Sequence, residues 1–398
     1  MKSWSAFHGM ILVLCIAAIT ACGCSVGPFV IRGTRTKYNK AVQVTAREEM
    51  LLNIVRARYN DPPEFLAVSG ITTQFEVGSF FGFGQDGGIT DGNLAGNLAA
   101  SDRPTISLTP LQDEQFTRRF LSPIRLETIY LFSRNGRRLD RMLRIIVERV
   151  NGLSNSPDDL DPEGKPEAFL WLAQTLGELA RQQQVEISYE ERIEPVSPLL
   201  DRAAVKGADV IAALEKGYQF RPADRDQALL TGKRRELVFR FAQKAVGRPE
   251  VVEITNLLGL LPGQLVYPIK PATEGQLRPA PPLREELVVS TRSVEEILHF
   301  LAHGVEVPSK HAEKGWVAQV EQAGSCPMAI GDLLRIRSSK VRPCHAYIAV
   351  CYHGHWFYID EADTVSRETF ELLLELYYLE IRGGGAVGSP LLTLPVGR

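Results

Sequence analysis

The chain has 398 residues, 44% of them hydrophobic, and a formal net charge of −2. That length and composition exclude a disordered chain and leave room for two or three domains. The balanced charge gives no reason to expect polyanion binding over the whole surface.

The first residues read as an export signal. Lys2 gives a short cationic start, Met10 to Ile19 is an unbroken apolar run containing Cys15, and small residues precede Cys22. The run is too short for a permanent membrane helix, which needs ~20 apolar residues. Its ending, Ile19-Thr20-Ala21-Cys22, resembles the lipobox of bacterial lipoproteins. The resemblance implies cleavage before Cys22, a diacylglyceryl thioether on its sulfur and acylation of its new amino group. Residues 1–21 are then a signal peptide and 22–37 a lipidated tether. Gly23 stands where an Asp would direct retention at the inner membrane, so the same resemblance favours the outer membrane. Two or three acyl chains make such an anchor stable, whereas one, at ~0.8 kcal/mol per buried CH₂, gives marginal binding. The plainer alternative is a secreted protein with an incidental cysteine near the cut.

A first helix is predicted over Ala46 to Tyr59, with Leu51, Leu52, Ile54, Val55 and Tyr59 building its apolar face. Thr45 and Glu48 have capping-box spacing, and Asn60-Asp61-Pro62-Pro63 ends the run. Phe65 to Leu108 then alternates. Ala67, Ser69, Ile71, Thr73, Phe75, Val77, Ser79, Phe81 and Phe83 share one strand face, with Gln74 and Glu76 on the other. After a Gly-rich stretch, Leu94, Leu98 and Ala100 oppose Asp91, Asn93, Asn97 and Ser101. This pattern predicts a long amphipathic β-hairpin. Its apolar face packs on neighbouring helices, or hairpins from several copies close into an outer-membrane barrel, whose strands need ~9–11 residues. Gly82, Gly84 and Gly87 match G-x-G-x-x-G, but no helix opens after them, so a turn is expected and no nucleotide.

Tyr38-Asn39, Ala41-Val42, Leu51-Leu52-Asn53-Ile54-Val55-Arg56, Arg58-Tyr59, Asp61-Pro62-Pro63 and Phe65-Leu66 together resemble the opening of a family of uncharacterised bacterial lipoproteins. Thr109-Pro110-Leu111 with Phe116, and Trp356-Phe357-Tyr358-Ile359-Asp360, fit the same family. The resemblance covers most of the mature chain in patches. It implies a location and a shape, and no catalytic residue.

Helices are predicted from Thr109 to Leu121, from Ser122 to Asn135-Gly136, and from Arg137 to Val150. Arg134, Arg137, Arg141 and Arg144 fall together opposite the core side of the last. That basic face reads as solvated, with anionic lipid or cell-wall polymer as the alternative; nucleic acid is not expected. Residues 38–154 thus form a helical region carrying hairpin 65–108, 155–166 a linker, and 167–398 an α+β region with a break near 268–283. In the latter, strands are expected at Val185–Glu190, Leu237–Phe241, Glu286–Ser290, Leu333–Arg337, His345–Tyr352 and His355–Asp360. Helices are expected at 167–183, 208–216, 249–261, 293–303 and 366–379, and the prolines of 268–282 mark a loop. His353-Gly354 is a tight hairpin turn. The fold class is α+β: N-terminal helices with a long amphipathic hairpin, and a C-terminal antiparallel sheet with helices.

Candidate chemistry is sparse. An exported chain meets an oxidising space, so a disulfide joining Cys326 to Cys344, or to Cys351, is a candidate, with free buried thiols as the alternative. Cys344 and Cys351 are too distant along one strand, ~23 Å against the ~7 Å a bridge allows. His299 and His303 stand at i, i+4 on a helix, as metal ligands do, with His345, His353 or His355 as a third. Phe300 occupies the position of the glutamate in H-E-x-x-H, so satisfied or exposed histidines are the first expectation, with no metal and no cofactor. Cys344 and His345 point to opposite strand faces, so only His353 or His355 would serve Cys344 as a base. The leading expectation is a lipid-anchored outer-membrane protein facing the periplasm, with a non-enzymatic structural or assembly role. Its partners are then the membrane, through the N-terminal lipid, and envelope proteins including further copies of itself. An oligomeric pore built from hairpin 65–108 and a Cys/His-dependent periplasmic hydrolase are the alternatives.

Overall fold

Helix α1 runs from Val26 to Arg58 in the computed structural model, which describes residues 26–83, 94–134, 139–155, 166–224, 226–272, 283–317, 330, 332–382 and 391–393. It absorbs much of the stretch expected to be a tether. Pro28 falls in the first turn, where its missing N–H breaks no internal hydrogen bond. Thr45 is therefore inside the helix and caps nothing: its hydroxyl donates to the carbonyls of Ala41 and Val42, at 3.0 and 3.1 Å. Met50, Leu51, Ile54 and Val55 supply the buried face. Asn60, at φ 59°, closes the helix in the left-handed region. Asn53 then clamps the returning chain, donating to the Glu64 carbonyl at 2.7 Å and accepting from the Glu64 N–H at 3.0 Å.

The expected hairpin forms. Strands β1 (Leu66–Phe83) and β2 (Leu94–Pro110) pair antiparallel from Leu66↔Pro110 to Phe83↔Leu94, with one register shift between Val68 and Gly70. The sequence places a helix start at Thr109; instead Thr109 and Pro110 finish β2. Asp113 caps α2 (Glu114–Leu121), accepting from the Phe116 N–H at 2.6 Å. Helix α3 spans Leu126–Arg134.

Helix α4 (Leu139–Ile146) gives way directly to strand β3 (Val147–Val150), where periodicity alone predicts helix through Val150. The cause lies far along the chain. The buried Arg292 guanidinium donates to the carbonyls of Arg144, Ile145 and Val147 at 3.2, 3.1 and 3.0 Å, and to that of Asn155 at 2.7 Å. A cation thus holds carbonyls at the negative end of the helix and satisfies the groups that helical pairing leaves open there. The basic face is corrected in part: Arg134 is exposed as expected, and Arg137 lies outside the described residues. Arg141 and Arg144 are both buried, and Arg141 pairs with Glu368.

The central sheet is built from β3, β4 (Leu153–Ser154), β5 (Val185–Pro195), β6 (Leu200–Asp201), β7 (Tyr218–Asp224), β8 (Gln227–Phe241), β9 (Val266–Pro271) and β10 (Leu287–Thr291). Its order is β4-β3-β10-β9-β8-β5, with β6 and β7 also on β8. Strand β9 contradicts the loop expected from its prolines. It pairs with β8 through 266–268 and with β10 through 269–271, so Pro268 and Pro271 each close a ladder and interrupt none. Helices α5 (Pro166–Arg181), α6 (Gly207–Glu215) and α7 (Pro249–Leu257) alternate with these strands.

After β10, α8 (Val294–Ala302) opens with the capping box of Ser293 and Glu296, and α9 (Ser309–Glu313) follows. Strands β11 (Arg337–Ser339), β12 (Ala346–Tyr352) and β13 (His355–Asp360) form an antiparallel sheet in the order β11-β13-β12. Helix α10 (Thr364–Tyr377) is capped by Asp363, which accepts from the Ser366 N–H at 3.0 Å and from its hydroxyl at 2.7 Å. Strand β14 (Leu391–Thr393) returns to pair parallel with β1 at Gly70 to Thr72. One buried cluster runs from Met50 to Ile381. Between α4, α5, α7 and the central sheet it leaves a cavity of about 70 Å³ walled by side chains such as Leu143, Phe169, Ala173 and Phe239. No helix among the described residues is long and apolar enough to cross a membrane.

Replacing Arg292 by Met strips a cation from four carbonyls. The expected loss is on the order of 3 kcal/mol of stability, measured as a lower urea midpoint at unchanged slope. An unshifted midpoint would contradict the role given to this residue.

Candidate functional site

The densest group of titratable and aromatic side chains lies where the end of α1, α9 and the β12–β13 turn meet. Tyr59 is its centre. Its ring lies edge-on to those of His311, Tyr352 and Phe357, with centroids 5.7, 5.4 and 6.1 Å away, and is tilted against His353 at 5.5 Å. The Tyr59 hydroxyl sits 2.6 Å from His311 Nδ1. Burial pushes the phenol up to about 12, so it keeps its proton and donates it to that nitrogen. His311 is only 2% exposed. Its pKa lies below the ordinary value, first because burial penalises its charged form, then because His355, His353 and Lys314 stand close. The neutral ring therefore accepts at Nδ1 and carries its proton on Nε2.

The turn delivers the other two imidazoles. His353 and Gly354 both take left-handed dihedrals, φ 46° and 75°, as a two-residue hairpin turn requires. His355 then comes within 4.5 Å of His311, centroid to centroid, and His353 within 6.2 Å. Trp316 lies against His311 and His353 at 4.9 and 5.0 Å, with the Lys314 ammonium 4.3 Å over its ring. The Tyr352 hydroxyl donates to the Asp61 carboxylate; burial and that carboxylate push it up to about 12. His355 Nδ1 is buried without a hydrogen-bond partner among the described residues.

His353 and His355 thus meet, joined by His311, which sequence reasoning did not single out. His299 and His303 stay apart on α8. His299 Nε2 is 3.3 Å from Glu295, and His303 Nδ1 faces the carbonyls of His299 and Phe300 at 3.0 and 3.2 Å. No group of three or more His, Cys, Asp or Glu among the described residues stands in metal-holding geometry. Cys344 and Cys351 are free, exposed thiols; Cys326 and Cys22 lie outside the described residues. Cys344 precedes β12 and His353 follows it, so the seven-residue strand separates them by more than ~20 Å at ~3.3 Å per residue. That spacing does not assemble Cys344 with His353 or His355. Near Cys344 a groove of about 350 Å³ runs between α1 and β12. Below it, Arg47 holds Glu371 through two contacts of 2.7 and 3.2 Å, and Tyr347 donates to the same carboxylate.

The junction is built to hold one proton inventory. Protonating His311 turns its acceptor nitrogen into a donor facing a phenol that also donates, beside two more imidazoles and Lys314. Because its folded pKa lies below its ordinary value of 6.5, the unfolded chain binds the proton more readily. The His311 contribution is complete above 6.5 and is lost as the pH falls from there through the folded value. Thermal melts between about pH 7.5 and 5 are expected to show a falling Tm in the natural protein. The fall should be shallower in His311→Gln, and an equal slope in both would remove His311 from this role.

No protein-family model, no curated protein and no solved structure matches the chain.

Proposed function

We propose that this is a lipid-anchored protein of the bacterial outer membrane, held on the periplasmic face through Cys22, with a non-enzymatic structural or assembly role exercised through protein–protein contacts. The lipobox-like Ile19-Thr20-Ala21-Cys22 supports the anchor. The hairpin supports the contacts, and it is the observation that carries the reading. At the base of the two strands, the residues 66–71 and 105–110 bury only Ala67 and Ile71 and add none to the continuous core cluster. Residues 105–110 are all exposed, and Leu66, Ile106 and Leu108 remain 43%, 52% and 55% exposed. A two-stranded hairpin is at best marginally stable alone in water. An element of this length, with apolar side chains in solvent at its base, fits one that completes itself on something outside the chain.

Mass spectrometry of the processed protein is expected to find an N-terminal Cys22 carrying diacylglycerol and an amide-linked acyl chain. Cys22→Ser is expected to leave the membrane fraction. A photo-reactive residue in place of Leu108 is expected to give protein adducts in intact cells, and fewer in the Cys22→Ser background. An unacylated terminus would refute the anchor; no adduct at any hairpin position would refute the contact role.

A further inference from the structure

We infer that the hairpin's partner is a second copy of this chain, and that hairpins from several copies pair edge to edge and close into a barrel across a bilayer. The inference rests on the protein–protein contact role proposed above and names its partner.

The sheet order is β14-β1-β2, so β2 is a terminal strand. On the other side, β14 covers β1 only at Gly70 to Thr72. From Thr73 outward, each hairpin therefore carries two open edges among the described residues, one on each strand. An open edge is a row of N–H and C=O groups that pair with another strand in the right direction. The outer edge of β2 in one copy and that of β1 in the next run antiparallel, as the two strands already do within a copy. Head-to-tail contacts of this kind close into rings when the rotation between copies allows.

Soluble edge strands are normally blunted with charge or proline. Here Val77 to Phe83 and Leu94 to Ser101 contain neither. Asp102, Arg103 and Pro104 come only at the rungs nearer the body. The pairing register adds a second, independent observation. It sets Val77, Ser79, Phe81 and Phe83 opposite Ala100, Leu98, Gly96 and Leu94. The alternate rungs set Gln74 and Glu76 opposite Arg103 and Ser101, and Phe80 opposite Asn97. The apolar and small series of the two strands thus share rungs, except that Asp102 stands opposite Phe75 at the end nearer the body; the alternate rungs hold the polar residues together with Phe80 and the small pairs Gly78–Ala99 and Gly82–Ala95. A slip by one residue would mix them. A wall with an apolar side and a polar side is what a membrane barrel requires, and Phe75–Phe83 against Leu94–Asp102 falls within the ~9–11 residues a spanning strand needs. Each copy supplies two strands, and the smallest such barrels have about eight, so at least about four copies are needed.

The test uses the full lipidated protein, purified in mild detergent. Light scattering is expected to give a discrete mass of four or more copies, and planar bilayers are expected to show stepwise conductance. Leu98→Asp is expected to abolish conductance while leaving the thermal melt of the body unchanged. A monomer at every concentration, a dimer, an open fibre, or conductance that survives Leu98→Asp would each overturn the inference. A monomer that is acylated and still gives adducts in cells refutes the barrel alone. An unacylated oligomer refutes the anchor alone.

Discussion

The body of this protein depends on a guanidinium holding carbonyl groups from another part of the chain. Arg292 sits at the end of β10 and takes the carbonyls of Arg144, Ile145, Val147 and Asn155. Its carbonyl in turn accepts from the Ile124 N–H at 3.0 Å, and the neighbouring Thr291 hydroxyl donates to the Ile124 carbonyl at 2.6 Å. The Phe300 ring lies 3.9 Å beneath the cation. Five segments therefore meet around one residue: the chain just before α3, the end of α4 with the start of β3, the stretch after β4, the end of β10, and α8. Because α4 ends where it does, β3 is free to enter the central sheet beside β10. Burying a cation this deeply is tolerable only because its donors are spent on carbonyls, several at the negative end of a helix.

The N-terminal helix is held to the C-terminal sheet by two polar–aromatic clusters of different kinds. Near its middle, Arg47 reaches across to Glu371 on α10, which also accepts from Tyr347 on β12. At its end, Tyr59 enters the ring of His311, Tyr352, His353 and Phe357. The first is a charge pair, indifferent to pH near neutrality. The second depends on a neutral imidazole and is weakened by acid. The same helix is therefore gripped by one permanent contact and one conditional contact, and acid acts first at the end nearer the hairpin.

What the sequence reveals tracks how local the cause is. Helix α8 is legible because Ser293 and Glu296 cap it three residues apart. The β12–β13 turn is legible in His353-Gly354, and the β1–β2 hairpin in its alternation. Each miss has a cause elsewhere in the chain. Nothing near Val147 announces that Arg292 will hold the preceding carbonyls. Nothing near Pro268 shows that the ladders of β9 are staggered so that its prolines fall at their ends. Thr45 and Glu48 have the right spacing for a cap but sit inside a helix already under way. At the candidate site, His353 and His355 stand out by composition. His311 does not, since α9 is five residues long and no periodicity marks it; its role exists only once α1, α9 and the turn are brought together.

The hairpin and the body are joined through an aromatic base, and a change there reaches both. Phe65, the residue before β1, stacks on Tyr377 at 4.7 Å and packs against Phe116 and Phe120 at 5.9 and 5.8 Å. Its carbonyl accepts from the Leu111 N–H at 2.9 Å, and the Leu66 N–H donates to Glu49 at 2.6 Å. The two legs are thus fixed to each other and to the core by aromatic burial, the strongest packing available to so few residues. A change at the base is transmitted to the body as lost packing.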